Sequence, residues 1–263
     1  MPTLQELRRF AATPMGRYEA RASWRQSRRA TYAAAGLIDI LAALALVLAL
    51  IPQPPDSGAL PSLEGLAQGV AYTSLAVLVL APMLWSISLS ASAIAGERET
   101  GTLEALLLTP MDRRTLLWAK LLGRTDPPRR FMLATAPAYL CCLAVIWLSL
   151  LTFGGTGNSA WQRSWLTTVV CLLLAALATV LLWGILFYQM HATAAAGLWF
   201  SSKYQRTWTA SLVTYAAILG PTVLLFGCGG IISLAWPMAL GPALFGELVG
   251  KFDRRALGSG DQL

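Results

Sequence analysis

The chain has 263 residues, of which 56% are hydrophobic and only 13% are charged. A soluble domain usually carries about 25% charged residues, so this composition excludes an ordinary soluble fold and indicates an integral membrane protein. The net charge of +7 does not predict a nucleic-acid partner, because the basic residues are confined to a few segments between apolar ones.

Six apolar segments follow one another along the chain, and most reach the roughly 20 residues that a helix needs to cross about 30 Å of hydrocarbon. They cover residues 31–51, 70–95, 131–153, 164–188, 209–226 and 231–250. The sequence therefore predicts an all-α integral membrane protein with a bundle of about six transmembrane helices. Residues 1–250 form one membrane domain in this prediction, and 251–263 form a cytoplasmic tail.

The positions of the basic residues predict the orientation of the spans. Lys and Arg number seven before residue 31, seven in the 96–130 loop, two in the 201–208 loop and three after residue 250, and only Arg163 falls on the other side. Because basic residues favour the cytoplasmic side, we expect both termini and the 96–130 loop in the cytoplasm. The location that follows is the cytoplasmic (inner) membrane.

The segment before the first span, within 1–30, predicts an interfacial helix. Arg17, Arg21, Arg25 and Arg28 recur at helical spacing and would share one face near lipid phosphates. The alternative is an ordinary basic flank of a membrane span, with no further role.

Asp39 lies about 12 Å into the first apolar segment, at 1.5 Å per helical residue. An ionised Asp near the bilayer centre costs roughly 2.5–3.5 kcal/mol on insertion scales, so we expect it to face protein or water. Two interpretations stay open. Asp39 either lines a substrate path or is packed and hydrogen-bonded to another helix.

The 96–130 loop predicts two short helices that meet at a corner. It opens with Gly96-Glu-Arg-Glu-Thr-Gly-Thr-Leu-Glu104, in which the three glutamates would be available to basic groups of a soluble partner. Thr109, Pro110 and Asp112 then have the pattern of a capped helix start, and Gly123 is the expected stop. Asp126-Pro-Pro128 is expected to interrupt the chain before the third span.

These two segments resemble the cytosolic coupling loop and the elbow helix of the type-2 ABC export permeases. The coupling pattern runs approximately E-R-E-x-G-T-L-E, then L-L-x-T-P and a basic pair. The resemblance implies that an ATP-binding subunit is contacted by Glu97, Arg98, Glu99, Gly101, Thr102, Leu103, Glu104, Thr109, Pro110, Arg113 and Arg114. It assigns Pro14, Glu19, Arg21 and Arg25 to the elbow helix. It also implies a second permease subunit, identical or not, and a function in ATP-driven export.

Two later features are less specific. Gly197 and Ser201 form a Gly-x-x-x-Ser pattern that also resembles the family, although small residues of this kind commonly serve close helix packing. The last two apolar segments are separated only by 227–230 and contain Pro237, Gly241 and Pro242. A re-entrant helix pair explains these residues as well as a sixth span does.

The motifs that the sequence lacks argue against an enzyme. It has no Gly-x-x-x-x-Gly-Lys-Ser/Thr loop, so we expect ATP to be bound by the partner subunit and this chain to need no cofactor. It has no H-E-x-x-H or G-x-S-x-G pattern, and its single histidine excludes a multi-histidine metal site. The alternative function is a non-transporting membrane scaffold that docks a soluble protein through the 96–130 loop.

Overall fold

A computed structural model describes residues 13–50, 63–102, 112–154, 165–229 and 231–258. The described residues form helices joined by short turns, which confirms the predicted all-α class. In chain order the helices are α1 (Pro14–Leu50), α2 (Leu63–Ala91), α3 (Ala95–Glu99), α4 (Arg113–Ala134), α5 (Ala136–Gly154), α6 (Trp165–Lys203), α7 (Thr207–Gly229) and α8 (Ile231–Gly258).

Several of these helices are long and apolar enough to cross a membrane. Three stretches qualify, namely Arg28–Leu50 in α1, Gly65–Glu99, which runs from α2 through α3, and Leu172–Lys203 in α6, and the consecutive helices α4 and α5 add a fourth candidate if they count as one span. The chain is therefore a multi-pass integral membrane protein. Over the described residues, α7 and α8 are not among these candidates, so the fifth and sixth spans remain predictions, as does the re-entrant alternative.

Helix α1 joins two elements that the sequence predicted as separate. Its start has the expected chemistry, because the Thr13 hydroxyl accepts the N–H of Gly16 at 3.2 Å and Pro14 occupies the first helical position. The helix then continues without a break to Leu50. A distinct elbow helix was thus a wrong prediction, since no proline and no glycine lies between Gly16 and Gly36 to end it.

Helix α4 contradicts two further predictions. Asp112 caps its start, accepting the Thr115 N–H at 3.2 Å, but Thr109 and Pro110 lie outside the described residues. The helix runs through Gly123 and through Pro127 and Pro128 to Ala134. The predicted stop and the predicted interruption were both wrong, since Gly123 packs against α1 within the helix and the helix accommodates both prolines.

The break occurs later, at Thr135, and divides the predicted third span. Pro137 follows two residues on and explains the position. A proline ring collides with the carbonyl four residues earlier, here that of Leu133, and has no N–H to donate to it. The predicted third span over 131–153 is therefore bent near its start, by 51° between α4 and α5.

Helix α6 also differs from the prediction, since it has 39 residues and ends at Lys203 rather than at 188. Its extension contains the alanine-rich run 192–196, which has high helix propensity. This extension brings the Gly-x-x-x-Ser pattern into the helix, close to α2 and α3.

The chain divides into two compact units. The first contains 1–28, 82–129 and 187–263. Its main core is built by α4, α6, α8 and the turn before α3, with Leu117, Leu121, Leu198, Phe245 and Leu248 buried together. The Trp118 ring packs edge-on against Phe245 at 4.6 Å between centroids.

The second unit contains 29–81 and 130–186. Its α1 segment buries small residues and exposes large apolar ones. On α1, Ala42 and Ala45 are buried, whereas Leu37 and Ile40 are 59% and 67% exposed. Small residues inside and large apolar residues outside are typical of helices packed in a membrane.

Candidate functional site: the coupling helix and its neighbours

Helix α3 begins in an unusual way, because its first N–H groups are bound by a side chain from α6. The hydroxyl of Ser201 accepts the N–H of Ile94 at 3.0 Å and that of Ala95 at 2.8 Å. The first N–H groups of a helix have no partner within it and need one when buried. Ser201 is fully buried, so this contact fixes the start of α3 against the end of α6.

The end of α3 explains the Thr-Gly-Thr part of the motif. Gly101 has φ +71°, the left-handed conformation that commonly follows a helix and that glycine adopts without strain. The Thr100 hydroxyl donates to Gly96 O at 3.0 Å, and the Thr102 hydroxyl donates to Glu97 O at 3.3 Å. These residues terminate the helix and satisfy its last carbonyls.

Glu97 belongs to a buried cluster of charges within the first unit. It pairs with Nζ of Lys120 on α4, and the same Nζ lies 3.2 Å from Oε1 of Glu19 on α1. Glu19 Oε2 lies 2.8 Å from Nε of Arg124, also on α4. Lys120 and Glu19 are almost fully buried, and Glu97 is 15% exposed. Two acids and two bases make the cluster neutral, so it joins α1, α3 and α4 without a net buried charge.

Arg98 binds the carboxyl end of α6. Its guanidinium donates to the carbonyl of Ser202 at 3.3 Å and to that of Tyr204 at 3.4 Å. The last carbonyls of a helix have no partner within it and carry partial negative charge. A guanidinium is therefore the favourable group at this position.

Glu99 binds the opposite kind of helix end, the start of α7. Its carboxylate accepts the backbone N–H of Thr207 at 2.7 Å and also the Thr207 hydroxyl. A carboxylate at a helix start also complements the partial positive charge there.

Close backbone packing sets these helices in position. A Cβ on Gly197 would lie 3.1 Å from the Ala91 nitrogen and would also collide with Ser90, so α6 and α2 approach closely at this glycine. A Cβ on Gly123 would lie 2.6 Å from the Glu19 Cβ, so α4 and α1 do the same. The packing role that the sequence favoured for Gly197 agrees with this contact.

The predicted site residues fall into two groups. Residues 97–102 are engaged within the chain, where Glu97 pairs with Lys120 and Glu99 binds Thr207, and their contact with an ATP-binding subunit stays a prediction. Arg114 and the elbow residues Pro14 and Arg21 are exposed, whereas Glu19 is buried. Leu103, Glu104, Thr109 and Pro110 lie outside the described residues, as do the side chains of Arg25 and Arg113.

Sequence reasoning missed Lys120, Ser201 and Thr207 as partners of the motif. A signal for Lys120 was present, because it shares a helical face with Leu116, Leu117 and Leu121 and so occupies a core register. The pairings of Ser201 and Thr207 join residues more than 100 positions apart and leave no local pattern.

The site matches a known family. The sequence profile described as ABC-2 family transporter protein matches residues 26–246 of the chain. The chain belongs to this family. The match contains α3 and every partner of its charged residues named above except Glu19. Comparison of this ABC-2 protein with curated proteins and with solved structures finds no match in either set.

Proposed function

We propose that this ABC-2 protein is the permease subunit of an ATP-driven exporter. In the complex it pairs with a second permease subunit, rests on a separate ATP-binding subunit and forms the path for the substrate. The observation that carries the proposal is the charged helix α3, which directly follows the long apolar helix α2 and is fastened to other helices of the first unit. An ATPase can move membrane helices only through a segment that is rigidly joined to them. Helix α3 is joined directly to α4, α6 and α7, and through Lys120 to α1.

In the proposed orientation the chain lies in the cytoplasmic (inner) membrane, with its N-terminus and α3 on the cytoplasmic side. The basic residues support it, because all but Arg163 lie in the segments assigned to that side. Arg114 and Gln205 are both exposed, which suits a surface that faces a soluble subunit.

The proposed division of labour is tested by co-expressing the chain with a candidate ATPase encoded beside it. We expect the two proteins to co-purify, ATP hydrolysis to require the ATPase, and the chain alone to bind no ATP, since its sequence has no phosphate-binding loop. ATP hydrolysis by the purified chain alone would contradict the proposal. A stable complex without ATP-dependent substrate movement would favour the scaffold function instead.

The proposed topology is tested with single cysteines in a cysteine-free background. We expect Ser57→Cys to react with an impermeant maleimide in intact cells and Gln205→Cys to react only after the membrane is opened. Reaction of Gln205→Cys from outside would overturn the orientation. A tag after Leu263 tests the sixth span, and its exposure outside the cell would leave an odd number of crossings.

A further inference from the structure

The three charged residues of α3 each bind a different part of the first unit. Glu97 reaches the Lys120 cluster, Arg98 reaches the carbonyls at the end of α6, and Glu99 reaches the start of α7. The charge of each residue complements the group that it binds. Arg98 is a cation at the carboxyl end of α6, Glu99 is an anion at the amino end of α7, and Glu97 is an anion beside the ammonium group of Lys120.

The start and one side of α3 also contact other helices. Ser201 holds the start of the helix through two N–H groups. A Cβ on Gly96 would lie 3.6 Å from Thr207 Cγ2, so the side of α3 also rests against the first residue of α7. Four of the five residues of α3, all except Gly96, therefore make hydrogen bonds or ion pairs to α4, α6 and α7, and through Lys120 the helix is joined to α1.

We propose that Glu97, Arg98 and Glu99 are positioning residues, which make α3 move together with the helix ends that it touches. On this proposal the charges of α3 act within the chain, and the contact with the ATPase is made by other residues that the family resemblance assigns to it, such as Glu104 and Arg114. The inference rests on the proposed function, because it assigns the parts of the same coupling segment. It departs from the sequence-based expectation that all these charges face the partner.

The decisive comparison is Glu99→Gln against Glu99→Met. Glutamine removes the charge but can still accept the Thr207 N–H through its amide oxygen and bond the hydroxyl. Methionine has a similar size and removes both bonds. A positioning role therefore tolerates glutamine and not methionine, whereas an electrostatic contact with the ATPase tolerates neither.

The matched controls are Glu104→Gln and Glu104→Met, which make the same changes in the segment assigned to the partner. The measurements are the amount of ATPase that co-purifies, and the change in maleimide labelling of Ser57→Cys when a non-hydrolysable ATP analogue is added. The second measurement reports transmission across the membrane and requires no knowledge of the substrate.

We expect both Glu99 variants to retain the ATPase, with the ATP-induced change in labelling rate kept by Glu99→Gln and reduced at least about fivefold by Glu99→Met. Both Glu104 variants should lose ATPase. Loss of ATPase from Glu99→Gln, or an unchanged response of Glu99→Met, would overturn the proposal. If the parent chain binds no ATPase, the proposed function fails instead, and the two failures are thus distinguishable.

Discussion

The carboxylate of Asp39 on α1 accepts the backbone N–H of Ala138 on α5 at 3.2 Å. Ala138 is the third residue of α5, and its N–H lost its helical partner at the break before Pro137. Asp39 therefore satisfies one of the unpaired N–H groups at the start of a helix, the role that an N-cap side chain usually has within its own helix. Of the two interpretations left open by the sequence, this contact supports the packed, hydrogen-bonded one.

The contact predicts that Asp39→Asn keeps the protein folded and active, because the amide oxygen can still accept the Ala138 N–H. Asp39→Leu should lower the free energy of unfolding by about 1 kcal/mol, the usual effect of losing a cap. Thermal unfolding of the purified protein measures both variants. An Asn variant that is stable but inactive would show instead that the charge is required.

The close approach of α4 to α1 predicts the effect of Gly123→Ala. The added methyl group would lie 2.6 Å from the Glu19 Cβ and 3.1 Å from the Gly16 carbonyl. The helices must move apart, which loosens the Glu19 ion pairs, and overpacking of this kind costs about 1–3 kcal/mol.

Gly36→Ala is the matched control for Gly123→Ala, since no atom lies within 4 Å of the Cβ position at Gly36 in α1. Alanine has higher helix propensity than glycine, so we expect the control to leave the melting temperature unchanged or to raise it. Equal melting temperatures for the two variants would contradict the close contact of α4 with α1.

Sequence reasoning predicted the class and the outline of this protein but not how its charges pair. Hydropathy places α1, α2 and α6 because the membrane requires long apolar helices, and local chemistry predicts a capped helix start near Asp112, where the structure has the start of α4. The pairs Glu97–Lys120 and Glu99–Thr207 depend on how distant helices pack. A motif match shows that such residues matter, but it does not show whether they face a partner or the chain itself.

The buried ion pair of Glu97 and Lys120 predicts strong non-additivity. Lys120→Met leaves Glu97 mostly buried without its cation, and breaking a buried pair from one side costs about 3–5 kcal/mol. The double variant with Glu97→Met removes the stranded charge as well, while Glu19 keeps its contact with Arg124. Replacing both partners by apolar residues of similar volume is often nearly neutral, so the double variant should unfold at a higher temperature than Lys120→Met alone.

Unfolding of the parent, the two single variants and the double variant, measured side by side, gives the interaction energy of Glu97 with Lys120. Simple addition of the two single effects would mean that the two side chains do not form a pair in the folded protein.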